Sequence, residues 1–395
     1  MATAVLDVDL ANGPLNLELN PRYDHALILI RWRARPVGKI TLPVLNGELR
    51  CDNLRQTLCD AAGSNLRMRL LEEFLQVDTR DVTEGAKQCA SVAICTRDRP
   101  NDLRRCLEAL IRMPDDGQEI LVIDNCPATD ATSRLVSGYS RVHYVREDKP
   151  GLNTARNRAL REARNPIVVF TDDDAVPDVN WLRSHMRNFH DRMVLCSTGL
   201  TMPLELETEA QEWHERHNPF GRGFDFKVFE STWLSPMASG HVGAGVNMAL
   251  RREVIELIGP FDEALDAGTC THSGGDNEMF SRVLSAGYKI AYDPAALSWH
   301  RHRTTWRETR RVAFGYGVGV YAAWTSSVLR DRELGAAWVA WAWGKKQIST
   351  LIRSLLDRPG SPPLALIALE LLGCMWGPWA YFSSRLVQRR WKSAT

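Results

Sequence analysis

Apolar and polar positions along this chain fall into three regimes. Up to about residue 85, the runs LNLEL, HALILIRW and KITLP read as short strands, with Pro36 and Gly38 turning the chain between the last two. The stretch from about Asp52 to Leu75 is more helical. From Cys89 the pattern alternates. SVAIC, EILVID, VHYVRE and IVVFT are strand-like runs separated by polar helical stretches. After Pro100, for example, Leu103, Cys106, Leu107, Leu110 and Ile111 recur at helical spacing. Strands alternating with helices of this length imply βαβ units and a mostly parallel sheet flanked by helices. The third regime begins near Thr304 and is helical and rich in tryptophan. The expected organisation is therefore a small α+β appendage over 1–85, an α/β domain over 86–303 and a helical region over 304–395.

Composition narrows the picture by exclusion. Hydrophobic content of 44% and charged content of 25% are those of an ordinary globular protein. A formal net charge of +1 gives no electrostatic case for nucleic-acid binding. The nine cysteines include no C-x-x-C pair and no Cys/His ligand spacing, which argues for a reducing, cytoplasmic setting and against a zinc site or disulfide framework. MATAVLDVDLANG carries acids early and has no basic segment followed by an apolar one, so it does not read as a secretory signal.

Ligands of open α/β sheets sit beyond the carboxyl ends of the strands, so the polar residues after each run carry the candidate chemistry. The sharpest feature is IVVFTDDDAVP, an apolar strand ending in Asp172, Asp173 and Asp174. Three adjacent carboxylates repel one another; a divalent cation with a taste for hard oxygen ligands, Mg²⁺ or Mn²⁺, removes that penalty and can bind substrate phosphates as well. A solvated acidic turn is the alternative. Other strand ends add Thr96, Arg97, Arg99, Asp124 and the Lys149-Pro150-Gly151-Leu152-Asn153 turn, which leads into a helix with Arg156. Taken singly, Asp124 reads as a helix cap and Arg156 as a surface charge. Together they suit a base, a ribose and a diphosphate.

Downstream, His241-Val242-Gly243-Ala244-Gly245-Val246-Asn247 reads as the start of a strand whose small residues would let a ligand approach the backbone. Gly274-Gly275-Asp276-Asn277-Glu278 opens a helix that ends at Gly287, with Ser273 a candidate cap. Asp276 is either an N-terminal helix charge or a general base for an acceptor hydroxyl. AALSWHRHR places His300 and His302 after a strand-like run, where one could complete a metal shell begun by the triplet.

In this order the motifs resemble the catalytic domain of family 2 glycosyltransferases over about 90–302. The likeness runs through C-T-R-D-R-P, V-I-D-N, P-G-L-N-T-A-R-N, D-D-D, G-A-G-V-N-M, G-P-F-D-E and G-G-D-N-E to the late histidine. The resemblance implies a GT-A fold and inverting, single-displacement transfer of a sugar from a nucleotide-sugar donor, UDP-linked by family frequency, with Mn²⁺ or Mg²⁺ as cofactor. It implies that Thr96, Arg97 and Asp124 contact the nucleotide, with Arg99, Asn153, Arg156, Asp172 and Asp173 on the donor side. Asp172 and Asp174 match the D-x-D aspartates, and with His300 they form the metal set. Asp276 matches the catalytic base. Gly243, Gly245, Asn247 and Gly275 fall on the acceptor side. One departure concerns the acidic pair that usually precedes this helix, which is here Gly275-Asp276; Glu278 is a candidate to compensate.

Nine of the 13 tryptophans lie from Trp299 onward. PLALIALELLGCMWGPWAYF, from Pro363 to Phe382, has the length of a bilayer span. Glu370 near its middle, Gly373, Gly377 and Pro378 within it, and basic flanks (Arg353 and Arg358 before; Arg385, Arg389, Arg390 and Lys392 after) fit helices lying in the membrane interface better than a span. The expectation is a cytoplasmic protein, peripheral at the inner face of the cell membrane, acting on a glycan or lipid-linked acceptor. Three rival readings compete with this one. A phosphatase-like D-x-D-x-V nucleophile belongs on the first strand of its domain, and here at least three strands precede it. A dinucleotide oxidoreductase lacks its glycine fingerprint. A non-catalytic nucleotide-sugar-binding or scaffold protein gains plausibility from Gly275 and loses it from Asp174, Asp276 and His300 together.

Overall fold

The computed structural model describes residues 2–12, 17–76, 89–332, 335–356 and 362–394, with the side chains of 331, 336 and 392–394 excepted. The first layer is a four-stranded sheet of β1 (Thr3–Asp9), β2 (His25–Trp32), β3 (Arg35–Leu45) and β4 (Glu48–Leu49) in that spatial order, covered by α1 (Leu54–Phe74). Three local expectations differ here. β1 forms in the run TAVLDVD and pairs in parallel with β2, while residues 17–19 of LNLEL are irregular and its first two residues lie outside the described ones. The β2–β3 turn falls on Arg33 and Ala34, both at positive φ (47° and 65°), as a two-residue hairpin requires. Pro36 and Gly38 lie inside β3 instead. Gly38 is needed there because a Cβ would come within 3.0 Å of the α1 backbone at Ala62.

The main sheet is built from β5 (Ala90–Thr96), β6 (Glu119–Asn125), β7 (Val142–Glu147), β8 (Ile167–Asp172), β9 (Ala175–Pro177), β10 (Val194–Pro203), β11 (Lys227–Phe229), β12 (Asn247–Arg251) and β13 (Lys289–His300). Its connecting helices are α2 (Pro100–Arg112), α3 (Ala131–Val136), α4 (Leu152–Glu162), α5 (Trp181–Met186), α6 (Glu209–His217), α7 (Val254–Leu257) and α8 (Gly275–Ser285). The order is β11-β13-β10-β12-β8-β5-β6-β7, with β9 on β13. Strands β7, β6, β5 and β8 run parallel, as expected; β12 is antiparallel to both β8 and β10, so the sheet is mixed beyond β8. Helices cover both faces. On β5, Ala93 joins the core under α4 and α8, while Val92 and Ile94 join the core under α2 and α5. Burial on two faces is why these strands read as unbroken apolar runs.

The same logic docks the first layer. Ala26, Ile28 and Ile30 of β2 face α1, and Leu27 and Leu29 face Leu200, Met202, Leu206 and Leu297 of the main sheet. Ion pairs seal the seam: Arg31–Asp178 at 2.8 Å and Lys39–Glu215 at 2.6 Å.

The third layer is α9 (Trp306–Asp331), α10 (Gly335–Leu355) and α11 (Leu364–Ala394). α9 and α11 touch backbone to backbone. A Cβ at Gly317 would lie 2.1 Å from the Glu370 carbonyl, and one at Gly373 would lie 2.2 Å from the Phe314 carbonyl. α9 also reaches α8, where Arg330 pairs with the fully buried Glu278, itself 2.9 Å from Arg282. Both α9 and α11 are long and apolar enough to cross a membrane, though about two-fifths of each apolar window is buried in the protein. Sequence reading singled out only the second; Arg358 of its flank lies outside the described residues.

Candidate active site

The aspartate triplet ends β8 beside the end of β5, and its three carboxylates face different partners. Thr96 Oγ1 donates to Asp173 Oδ2 at 2.7 Å, and Arg99 Nη1 lies 3.2 Å from both Asp173 Oδ1 and Asp174 Oδ2. Burial, then the neighbouring Asp174, pushes the Asp173 carboxyl up to about 6. Asp174 sits 3.1 Å from His300 Nε2 and 3.4 Å from Arg303 Nη1. Burial alone would raise Asp174, but His300, Arg303 and Arg99 hold it well below the usual carboxylate range. Burial disfavours a charged His300, yet the two aspartates outweigh it and raise its pKa.

One ligand atom each from Asp172, Asp174 and His300 lies within 4.8 Å of the others. Two carboxylates and an imidazole make a donor set that fits Mn²⁺ or Mg²⁺. In Asp172, burial and Asp174 raise the carboxyl, a strain that a cation would relieve. His302 stays out of this set: its Nε2 is 3.2 Å from Glu215 Oε2, within the network that Lys39 completes.

Asp124, fully buried at the end of β6, accepts from Tyr144 Oη at 2.9 Å. Arg97 is exposed at the rim. Arg156 is 4% exposed, so it is no surface charge. Its Nη1 donates to Asp266 Oδ2 at 2.8 Å and to Asn153 Oδ1 at 3.1 Å. Asn153 therefore anchors Arg156 from below, its Nδ2 donating to the Asp262 carbonyl. The charge of Arg156 is balanced by Asp266, Asp172 and Asp276 together, which places it between the triplet and the head of α8.

At that head, Asp276 is half-buried with both oxygens held by backbone: Gly245 N–H donates to Oδ2 and Asn277 N–H to Oδ1, each at 2.8 Å. Gly245 must be glycine because a Cβ would fall 2.7 Å from Arg156 Nη2 and 3.0 Å from Asp276 Cβ. Gly243 packs on Thr198, 2.5 Å from where its Cβ would be.

Several expectations are corrected here. β12 begins only at Asn247, so Gly243 to Val246 form the loop before it. Asn247 is not on the acceptor side but in the core, accepting from Trp181 Nε1 and His185 Nε2 and donating to the Leu200 and Ala296 carbonyls. Gly274, left-handed at φ 97°, caps α8; Ser273 Oγ instead donates to the Gly315 carbonyl. Glu278 faces Arg282 and Arg330, so it cannot stand in for an acidic residue at 275. Sequence reading missed Arg303, Asp266, the Arg222 guanidinium, on which the Asp276 charge acts, and Tyr316, whose phenol Asp276 helps to keep neutral. The spacing of H-R-H-R could have suggested Arg303; the others carry no local signal.

Residues 91–259 match the profile of Glycosyl transferase family 2. A pre-mycofactocin glycosyltransferase of Mycobacterium tuberculosis is 26% identical over 272 residues, 68% of this chain and 54% of its own. The glycosyltransferase AglE of Haloferax volcanii is 25% identical over 59% of this chain and 73% of its own. A mannosyltransferase from Pyrobaculum calidifontis, solved with GDP-Man and Mn²⁺, aligns over 83% of this chain and 94% of its own at 18% identity, with a TM-score of 0.49. The chain spans about half the length of the mycobacterial relative.

Proposed function

We propose that this chain, whose residues 91–259 match Glycosyl transferase family 2, is a GT-A glycosyltransferase that transfers a sugar from a nucleotide-sugar donor to an acceptor hydroxyl with inversion. The observation that carries the reading is the pairing of two centres through Arg156: a cation set of Asp172, Asp174 and His300, and a backbone-held carboxylate at Asp276. A divalent ion in the first would offset the charge that grows on the leaving diphosphate. Thr96, Arg97, Arg99 and Asp124 line the strand ends where a nucleotide would lie, with Asp173 fixed between Thr96 and Arg99. Asp276 accepts the acceptor proton on a carboxylate oxygen. Its two backbone donors fix its direction, which is what a base needs before attack. Gly243, Gly245 and Gly275 keep the acceptor side low.

The acceptor is a glycan or lipid-linked hydroxyl, and the protein works in the cytoplasm at the inner membrane face. Supporting this, α10 and α11 turn Trp338 (68% exposed), Trp341 (62%), Met375 (72%) and Trp379 (56%) outward. Lys345, Lys346, Arg385, Arg389 and Arg390 lie on the same helices, an amphipathic pairing suited to an anionic lipid surface.

The test incubates purified protein with Mn²⁺, a membrane lipid extract as acceptor, and UDP-, GDP- and dTDP-sugars in turn, following nucleoside diphosphate release. One donor should respond, UDP-linked sugars being tried first. Asp174→Asn should abolish the metal dependence. Asp276→Asn should lower turnover by about 10²–10⁴-fold with donor binding kept. Silence across the panel without metal-dependent donor binding would move the non-catalytic binding or scaffold reading ahead.

A further inference from the structure

The head of α8 has a glycine where an acidic partner to Asp276 would sit, and the space that glycine leaves is occupied. A Cβ at Gly275 would lie 2.5 Å from Asp266 Oδ2, about as far as an aspartate's own carboxylate oxygen stands from its Cβ. A side chain at 275 would thus meet the space that Asp266, from a loop nine residues earlier, already fills together with Asn153. Asp266 is held there against two costs. Its backbone is left-handed at φ 82°, where glycine is free of strain and other residues are not. Its carboxylate is buried, 7% exposed, facing Asp276 across Arg156. The surrounding loop is organised around it: Asp266 N–H donates to Thr271 Oγ1 at 3.0 Å, Thr269 Oγ1 donates to the Asp266 carbonyl at 2.7 Å, and Ala267 N–H donates to Asp266 Oδ1 at 2.8 Å. The free side of Oδ2 takes Arg156 Nη1 at 2.8 Å.

We propose that Asp266 is the displaced second carboxylate of the acceptor side, a positioning residue that holds Arg156 against the head of α8 and through it sets the place of Asp276. The assignment rests on reading Asp276 as the base. A strained backbone and a buried charge are kept because together they deliver a carboxylate to a position the helix itself no longer supplies. Gly275 and Asp266 are then a reciprocal pair: one position carries the carboxylate, and the other must be small. Gly275→Asp alone sets two carboxylates and Asn153 into one space, since Asn153 Nδ2 is only 2.3 Å from the added Cβ. Asp266→Gly alone relaxes the backbone and leaves Arg156 buried without its partner.

The experiment is a double-mutant cycle in the full chain: Asp266→Gly, Gly275→Asp, the double variant, and the near-isosteric Asp266→Asn. It has two readouts, the urea midpoint of unfolding and Mn²⁺-dependent nucleoside diphosphate release from the donor found active. Each single variant should unfold at lower urea; the double, in which Asn153 still crowds the added Cβ, should recover part of the loss and stand above the sum of the two singles. Asp266→Asn and Asp266→Gly should lose about a hundredfold in kcat at unchanged donor KM, as for a misplaced catalytic group. The double variant should regain at least tenfold of that. Additive midpoints, with no recovery in the double, would overturn the exchange of places. Recovered stability without recovered kcat, or an Asp266→Asn variant with full activity, would overturn the positioning role. If the unaltered protein releases nucleotide from no donor, the base reading fails instead, and the unfolding cycle still decides whether Asp266 and Gly275 share one space.

Discussion

Gly274 offers the most direct test of how the head of α8 is held. It combines φ 97° with a Cβ position 2.4 Å from the Gly319 carbonyl oxygen and 2.8 Å from its carbon, both backbone atoms of α9. In Gly274→Ala the left-handed backbone alone costs about 1–2 kcal/mol. The methyl cannot be accommodated by a rotamer change, because the obstacle is main chain; α9 must move away from α8, an overpacking cost of about 1–3 kcal/mol. The sum is about 2–5 kcal/mol. Gly223 supplies the control: its φ is 100°, and nothing lies within 4 Å of its Cβ position. Gly223→Ala should carry only the first cost. The two variants are compared by urea unfolding followed through tryptophan fluorescence, and Gly274→Ala should be the less stable by about 1–3 kcal/mol. Equal midpoints within about 0.5 kcal/mol would refute the claim that α9 presses on the head of α8.

Two further predictions address other layers. His185 is buried between Ser197 Oγ and Asn247 Oδ1, and burial lowers its pKa from 6.5 to about 4. The unfolded chain therefore binds a proton below pH 6.5 that the folded chain refuses until about pH 4. Stability from this site is intact at pH 7 and falls as pH drops through that window, by about 2 kcal/mol at pH 5; in His185→Gln this part of the pH dependence should vanish, and an unchanged slope in urea titrations would reject it. For the third layer, replacing Trp338, Trp341, Trp376 and Trp379 by Ser should abolish co-sedimentation with anionic vesicles while leaving the unfolding midpoint in place, and wild-type binding should weaken with added salt; undiminished sedimentation of the variant counts against a membrane-facing surface.

Much of the sheet was legible because its signal is local. The runs at 90–96, 119–125 and 167–172 are apolar on both faces, the edge run at 142–147 is mixed, and each forms a strand at the expected place. The aspartate triplet and His300 stand at strand ends, so alternation of strand and helix was enough to bring them to one edge. What sequence could not supply are pairings fixed by tertiary contact. Asp266 meets Arg156 110 residues away, and nothing in LDAGT distinguishes it from a turn aspartate. Asn247 sits in a motif that suggests ligand contact, yet four core partners absorb its amide. The hairpin at Arg33-Ala34 was obscured because Pro36 and Gly38 are stronger turn formers, and strand pairing with β2 overrides them.

The two halves of the site are held by different layers, and that division has a chemical consequence. The proposed cation ligands Asp172, Asp174 and His300 hang on the ends of β8 and β13, strands buried in the main sheet, and Asp174 answers to Arg99 and Arg303. The proposed base, Asp276, stands on the first turn of α8. That helix is fixed from one side by the Gly245 N–H and from the other by α9, through the Gly274–Gly319 backbone contact and the Glu278–Arg330 pair. α9 in turn is locked to α11 at Gly317 and Gly373, while Tyr381 of α11 and Ser326 of α9 both donate to Asp262, the residue whose carbonyl receives Asn153 beneath Arg156. Among the C-terminal helices, α9 is therefore one packing contact from Asp276, whereas the aspartate triplet is held by Thr96, Arg99, His300 and Arg303. Perturbing the C-terminal helices should alter the acceptor step before it alters metal or donor binding. The exposed tryptophans stand on α10 and α11, which bear on the head of α8 through α9, an arrangement expected if the hydroxyl to be glycosylated arrives from the surface those tryptophans face.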